Sequence, residues 1–248
     1  MVKAILNTIP RITHPWDLDP AAAMALQREL ATKVIRKTAF GPVTTIAGID
    51  ASYRDGIARA AIVAFSFPKM DILEYVTAER PVDYPYVPGL LSFREAPVIL
   101  DALEKLSLTP DVLIFDGHGI AHPRRLGIAS HVGLLVDKPS IGCAKKRLVG
   151  YYDEPARERG SYTYLHDNGA DDEGIVVIGA AVRTRTGVKP VFVSTGHRIS
   201  LDAAIDVVLV CGRGYRLPEP TRWADKIAGG VYPPIQQETP TSQQLSLP

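Results

Sequence analysis

Two apolar runs that each end in an acid constrain this chain more than any other feature. One reads Ile46-Ala-Gly-Ile-Asp-Ala-Ser-Tyr53, and the other reads Asp111-Val-Leu-Ile-Phe-Asp-Gly-His-Gly-Ile-Ala-His-Pro-Arg124. Each is β-branched and apolar on both faces, the pattern of a buried strand covered by helices above and below. A buried strand that ends in aspartate delivers a carboxylate to the sheet edge, a usual place for sites in α/β folds. Asp50 and Asp116 are therefore read as paired site residues.

The rest of the chain supplies the elements for such a sheet. Residues 20–38 carry Ala, Leu and Val at helical spacing behind Asp17 and Asp19 and predict an amphipathic helix. Strands over 44–53, 58–67 and 72–77, joined by Arg54-Asp-Gly and Pro68-Lys-Met-Asp, predict an antiparallel meander. A helix over 90–106 and a strand from Asp111, placed parallel to the first, follow. Next come a helix over 129–135, a strand over 140–144, a strand pair near Tyr151 and Tyr162, strands at Gly174 and Pro190, and a helix at Leu201. The expected fold is α/β: a ribonuclease-H-like mixed sheet, three antiparallel strands followed by parallel strands, flanked by helices. It sets the first and fourth strands side by side. One domain is expected over 1–230. The segment 231–248 is rich in proline, glutamine, serine and threonine, and is expected to be a disordered tail.

Pro85-Tyr-Val-Pro-Gly precedes the helix over 90–106. The residue before a proline is pushed away from helix, so Asp83 to Pro88 is expected to be extended until Gly89 releases the chain. Tyr86 is then held at low entropic cost, either as the half-buried tyrosine of a rigid turn or as a wedge for a base stack. Glu95 falls in the first turns of the helix. With Asp50 and Asp116 it makes the hard-oxygen set that Mg²⁺ prefers, with Mn²⁺ as a substitute.

Composition sets limits. The chain has 248 residues, 46% of them hydrophobic, enough for one sizeable core. Its 28 basic and 27 acidic residues exclude a polybasic binder but leave room for a local basic face. Cys143 and Cys211 make no disulfide framework and have no metal-ligand spacing, which predicts a reducing compartment. Met1 to Trp16 lacks the apolar core of a signal peptide, and no apolar stretch reaches membrane length. A soluble, cytoplasmic monomer without membrane partners is expected.

The motifs together resemble the endonuclease V family. The likeness runs from Trp16-Asp-Leu-Asp-Pro through Gln27-Arg-Glu-Leu-Ala, Gly48-Ile-Asp-Ala-Ser-Tyr, Pro85-Tyr-Val-Pro-Gly, Phe93-Arg-Glu, Asp116-Gly-His-Gly-Ile-Ala-His-Pro-Arg and Gly142-Cys-Ala-Lys-Lys to Gly196-His-Arg-Ile-Ser, about residues 14 to 212. Thr195 departs from the proline expected before Gly-His. The resemblance implies a metal-dependent endonuclease that recognises deoxyinosine in DNA, with inosine in RNA as a further substrate. It would cut the second phosphodiester bond on the 3′ side, leaving a 3′-hydroxyl and a 5′-phosphate. It implies metal-binding and catalytic roles for Asp50, Glu95 and Asp116, catalytic roles for Lys145 and His122, and a wedge role for Tyr86.

By residue type alone, Lys145 beside Lys146 and Arg147 also fits a solvated basic strand end. Gly117 and Gly119 are candidate walls of a base pocket, because glycine allows close backbone approach. His197 is a candidate nucleic-acid contact; His118 suits local hydrogen bonding, His131 a helix, and His166 a surface loop. Arg213, Arg216, Arg222 and Lys226 fit a backbone grip or a solvated face equally. The competing enzyme class is an actin-like or sugar-kinase-like phosphotransferase using Mg-nucleotide, disfavoured by the lack of a glycine-rich phosphate loop. A binding module without catalysis is the other alternative.

Overall fold

The computed structural model describes residues 12–82, 84–169 and 174–233. Asp83 and most of the expected tail, from Pro234 on, lie outside the described residues. The first helix, α1 (Pro20–Ala31), is capped by Asp19, whose Oδ1 accepts from the Ala21 and Ala22 amides at 2.9 and 3.0 Å. It stops short of the expected 38 because tertiary partners take the next residues. The Ile35 amide donates to His197 Nδ1, and the Ile35 carbonyl accepts from the Arg198 amide at 2.6 Å.

The expected meander forms as β1 (Thr45–Arg54), β2 (Ile57–Ser66) and β3 (Ile72–Pro81), antiparallel throughout. After α2 (Leu91–Leu103), β4 (Val112–Phe115) lies parallel beside β1, with Ile49 opposite Phe115, so the first and fourth strands are neighbours. Then α3 (Ile128–Leu135) leads to β5 (Ser140–Ala144), parallel to β4. Beyond β5 the sheet returns to antiparallel pairing through β6 (Tyr162–Asn168), β7 (Ile175–Val182) and β8 (Val191–His197). The full order is β3-β2-β1-β4-β5-β8-β7-β6. The strand expected near Tyr151 is only a single bridge to His166. His166, expected on a loop, lies in β6.

Two helices close the described chain, α4 (Leu201–Val210) and α5 (Glu219–Ala228). Helix α5 lies beyond the elements expected from the sequence. The helices divide between the two faces as strand alternation requires. Ala47, Ile49, Leu113 and Phe115 pack with α2 and α3, whereas Ile46, Val112 and Ile114 pack with α4. Gly48, Asp50 and Asp116 follow the second set in register and so belong to the α4 and α5 face. Helix α5 rests on β2 through Ala224 and Ile227 against Ala61, Val63 and Phe65.

Candidate metal centre and nucleic-acid interface

The β1 and β4 ladder carries its register into the site, because the Asp116 amide donates to the Ile49 carbonyl at 2.9 Å. That bond sets Asp50, which lies within β1 and not at its end as expected, beside Asp116, one residue past the end of β4. A third carboxylate comes from α5. One oxygen each from Asp50, Asp116 and Asp225 lies within 4.8 Å of the others. Helix α5 comes this close because β1 has Gly48: a Cβ there would stand 2.0 Å from the Pro220 carbonyl oxygen.

Lys145, one residue past β5, neutralises part of this charge. Its Nζ lies 2.6 Å from Asp116 Oδ2 and 2.7 Å from Asp225 Oδ1. Burial works against the ammonium, but the bonds to the two carboxylates outweigh it and hold its pKa above the usual lysine range. Arg216 Nη2 donates to the Lys145 carbonyl at 2.5 Å, fixing the backbone from which the lysine projects.

The acids respond as crowded anions do. Burial, then the charge of Asp116, pushes Asp50 up to about 7. Burial, then the charge of Asp50, pushes Glu95 up to about 8, with Arg94 opposing. Burial raises Asp116 too, against the pull of Lys145. Glu95 thus lies within electrostatic reach of Asp50 and Asp116 but outside the converging oxygens, where Asp225 stands. An all-carboxylate set with one ammonium lodged against it fits a hard divalent cation, whose charge would relieve the same repulsion.

Tyr86 is 72% exposed at the tip of the proline-bounded loop. Gly89, at φ +78°, turns that loop toward α2. Its carbonyl is gripped by three donors: Gln27 Nε2 at 3.0 Å, His122 Nε2 at 3.0 Å and Arg124 Nη2 at 2.6 Å. Arg124 Nε also donates to Gln27 Oε1 at 2.5 Å. His122 is buried, and its Nδ1 accepts from the Arg124 amide at 3.2 Å. Burial, with Arg124 nearby, pushes it down to about 3. A neutral ring with both nitrogens committed ties the loop down, and among the described residues it has no bond to the carboxylates.

The other expectations divide. Gly119 is buried against β8, where a Cβ would meet the Thr195 carbonyl oxygen at 2.0 Å; at Gly117 it would meet Ile128 Cγ2 at 2.5 Å. Internal packing therefore demands both glycines. His197 is corrected as a contact for nucleic acid: it is buried, with Nδ1 accepting from Ile35 and Nε2 donating to Asp137 at 3.2 Å. His118 has a buried Nδ1 without a partner among the described residues, and burial pushes it down to about 4. His131 lies in α3 as expected, bonded to His14 and Ser92. Arg213 and Arg216 bind backbone carbonyls and Arg222 binds Glu219, so this stretch braces the fold.

Asp225 is the residue that sequence reasoning missed. The signals were Pro220 early in a helix, Glu219 in its first turn, and Thr221, Ala224, Ile227 and Ala228 on one face.

Comparison with known proteins shows the family. A family profile described as endonuclease V matches residues 28–226. An endonuclease V from Roseiflexus sp. (strain RS-1) is 53% identical over 215 residues, covering 87% of this chain and 94% of that one. One from Methanothrix thermoacetophila is 53% identical over 214 residues, covering 86% and 92%. The crystal structure of the Streptomyces avermitilis endonuclease V superposes with a TM-score of 0.80 at 41% identity, covering 90% and 97%. The Ciona intestinalis endonuclease V, solved with a 24mer DNA containing an inosine followed by a ribo-adenosine, gives 0.72 at 30% identity, covering 85% and 96%.

Proposed function

Because the chain belongs to the endonuclease V family, we propose that it is a divalent-metal endonuclease that recognises deoxyinosine in DNA and hydrolyses the second phosphodiester bond on its 3′ side, leaving a 3′-hydroxyl and a 5′-phosphate. The observation that carries this reading is the convergence of the Asp50, Asp116 and Asp225 carboxylates. Family membership removes the phosphotransferase alternative. Mg²⁺ is the proposed ion and Mn²⁺ its substitute, because an all-oxygen set suits both. The ion supplies Lewis acidity toward the phosphoryl oxygens and a bound water of lowered pKa.

The chain's own groups do the rest. Asp50, Asp116 and Asp225 hold the ion, and Glu95 completes the acidic set beside Asp50. Lys145 offsets phosphate charge from a fixed position. Tyr86 fills the gap left by the extruded base. His122 acts through the loop, holding Gly89. We place these residues in one catalytic domain through Gly230, acting as a cytoplasmic monomer; among the described residues no helix is long and apolar enough to cross a membrane. The ribo-adenosine beside inosine in the Ciona intestinalis complex favours inosine RNA as a second substrate.

The test is nick mapping on end-labelled inosine-containing single-stranded DNA, duplex DNA and RNA, with free hypoxanthine measured in parallel. Release of the base, or equal cutting at guanine, would defeat the reading.

A further inference from the structure

Several cations around α1 and the tyrosine loop are paired with carboxylates. Arg125 meets Asp167 at 2.9 Å, Arg80 meets Asp101 at 3.3 Å, and Lys33 meets Glu29 at 2.7 Å. Arg28, exposed on α1, and Arg124, half-buried, have no carboxylate partner among the described residues. They act on each other instead. Burial, then the charge of Arg28, lowers Arg124 from the usual arginine range.

The pair is built into the base of the tyrosine loop. Gln27, the residue before Arg28, accepts from Arg124 Nε at 2.5 Å, and its own Nε2 donates to the Gly89 and Leu126 carbonyls at 3.0 and 3.3 Å. Arg124 Nη2 donates to the Gly89 carbonyl at 2.6 Å, which leaves Nη1 without a bond among the described residues. Two bonds thus orient the guanidinium before any ligand arrives, so little entropy is lost when an anion docks. Gly89 stands three residues past Tyr86, at most about 11 Å of chain.

We propose that Arg28 and Arg124 together bind one backbone phosphate of the inosine-carrying strand, within two nucleotides of the lesion. The proposal rests on the deoxyinosine reading above and on entry of Tyr86 into the stack. A strand whose base is replaced by the ring runs past the loop with one phosphate about every 3.4 Å along the axis, so about three of them pass within the span from Tyr86 to Gly89. A phosphate between the two guanidiniums removes their repulsion and takes charge-assisted hydrogen bonds from both. The contact reads no base. It fixes the register of the strand, and because Arg124 also holds Gly89, one side chain ties that phosphate to the wedge.

The test measures binding of the full chain, in EDTA to stop cleavage, to duplexes with one inosine–thymine pair over a range of salt concentrations. Wild type should bind more weakly when an uncharged methylphosphonate replaces one phosphate within two nucleotides of the inosine. Arg28→Gln should bind the unmodified duplex about ten-fold more weakly, flatten the log–log salt slope by about 0.9, and respond less to that methylphosphonate. Lys33→Gln, on the same helix but paired with Glu29, should keep the wild-type slope. An unchanged slope in Arg28→Gln, an equal change in Lys33→Gln, or a methylphosphonate effect that Arg28→Gln retains in full overturns the phosphate site, while a wild-type preference for the inosine duplex leaves the deoxyinosine reading standing. Absence of that preference in wild type defeats both.

Discussion

Gly48→Ala should damage the metal centre before it damages the fold. The new Cβ would lie 2.0 Å from the Pro220 carbonyl oxygen, and ordinary contact begins near 3.4 Å, so the two must part by about 1.4 Å. Strand β1 cannot give way, being paired with β2 on one side and β4 on the other. Helix α5 must move instead. Overpacking of this kind costs roughly 1–3 kcal/mol, which a folded domain survives. A rigid helix carries the shift five residues on to Asp225, about 7 Å along its axis. Mg²⁺ demands oxygens close to 2.1 Å in near-octahedral geometry, and a misplacement of about 1 Å at a catalytic centre costs about 10²-fold. The variant should therefore keep its circular-dichroism spectrum and melt a few degrees lower. Its thermal stabilisation by Mg²⁺ or Mn²⁺ should largely disappear. Gly41→Ala, where nothing lies within 4 Å of the added atom, is the control. Wild-type metal stabilisation in Gly48→Ala would show that α5 is not positioned by this contact and would refute the reasoning.

Asp225→Asn should lose about 10²-fold or more in cleavage, as Asp50→Asn and Asp116→Asn should, with folding intact; near-wild-type nicking by the Asp225 variant would remove it from the metal set. Asp50 and Glu95 have folded pKa values raised to about 7 and about 8, so the folded chain binds their protons more tightly than the unfolded chain does. The sign is that metal-free stability falls with rising pH through those values. The buried histidines, held neutral in the folded chain but protonated in the unfolded one below about pH 7.5, add an opposing slope that wild type and an Asp50 variant share. In EDTA, wild type should therefore lose melting temperature relative to Asp50→Asn as pH rises from about 6.5 to 8, and parallel profiles would contradict the assignment. His122→Ala should lower stability by about 1–3 kcal/mol through its bonds to Gly89 and Arg124, and leave metal titrations unchanged. Tyr86→Ala should abolish the fluorescence rise of a base analogue beside inosine in duplex DNA, and an equal rise would make Tyr86 a turn residue only.

What could be read in the sequence was what is encoded locally. The strands that lead into Asp50 and Asp116 declare themselves by unbroken apolar runs, and their adjacency follows from the meander and one parallel return. Helix α5 was harder, because its buried face uses Thr221 and alanines while its exposed face carries Arg222 and Lys226. A basic stretch was therefore the more visible pattern, and Asp225 was hidden in it. Residues 32–38 keep a helical pattern but spend their backbone groups on His197 and Arg198, a contact that spacing along the chain does not reveal. The histidines show the same limit. His122, in a glycine-rich loop, and His197, after Gly196, look chemical, yet each has both nitrogens bonded within the protein. Residue type gives the capacity for chemistry, and only the partners show whether it is already used.

That the third carboxylate sits on the last of the described helices has a consequence for how the enzyme comes into being. During synthesis Asp50, Glu95 and Asp116 leave the ribosome early, on β1, α2 and the end of β4, while Asp225 follows only after every strand of the sheet has been made. A chain halted before α5 has neither the helix that covers Gly48 nor the oxygen that closes the triangle with Asp50 and Asp116. The complete carboxylate triangle therefore waits for α5, and a chain terminated before that helix lacks it.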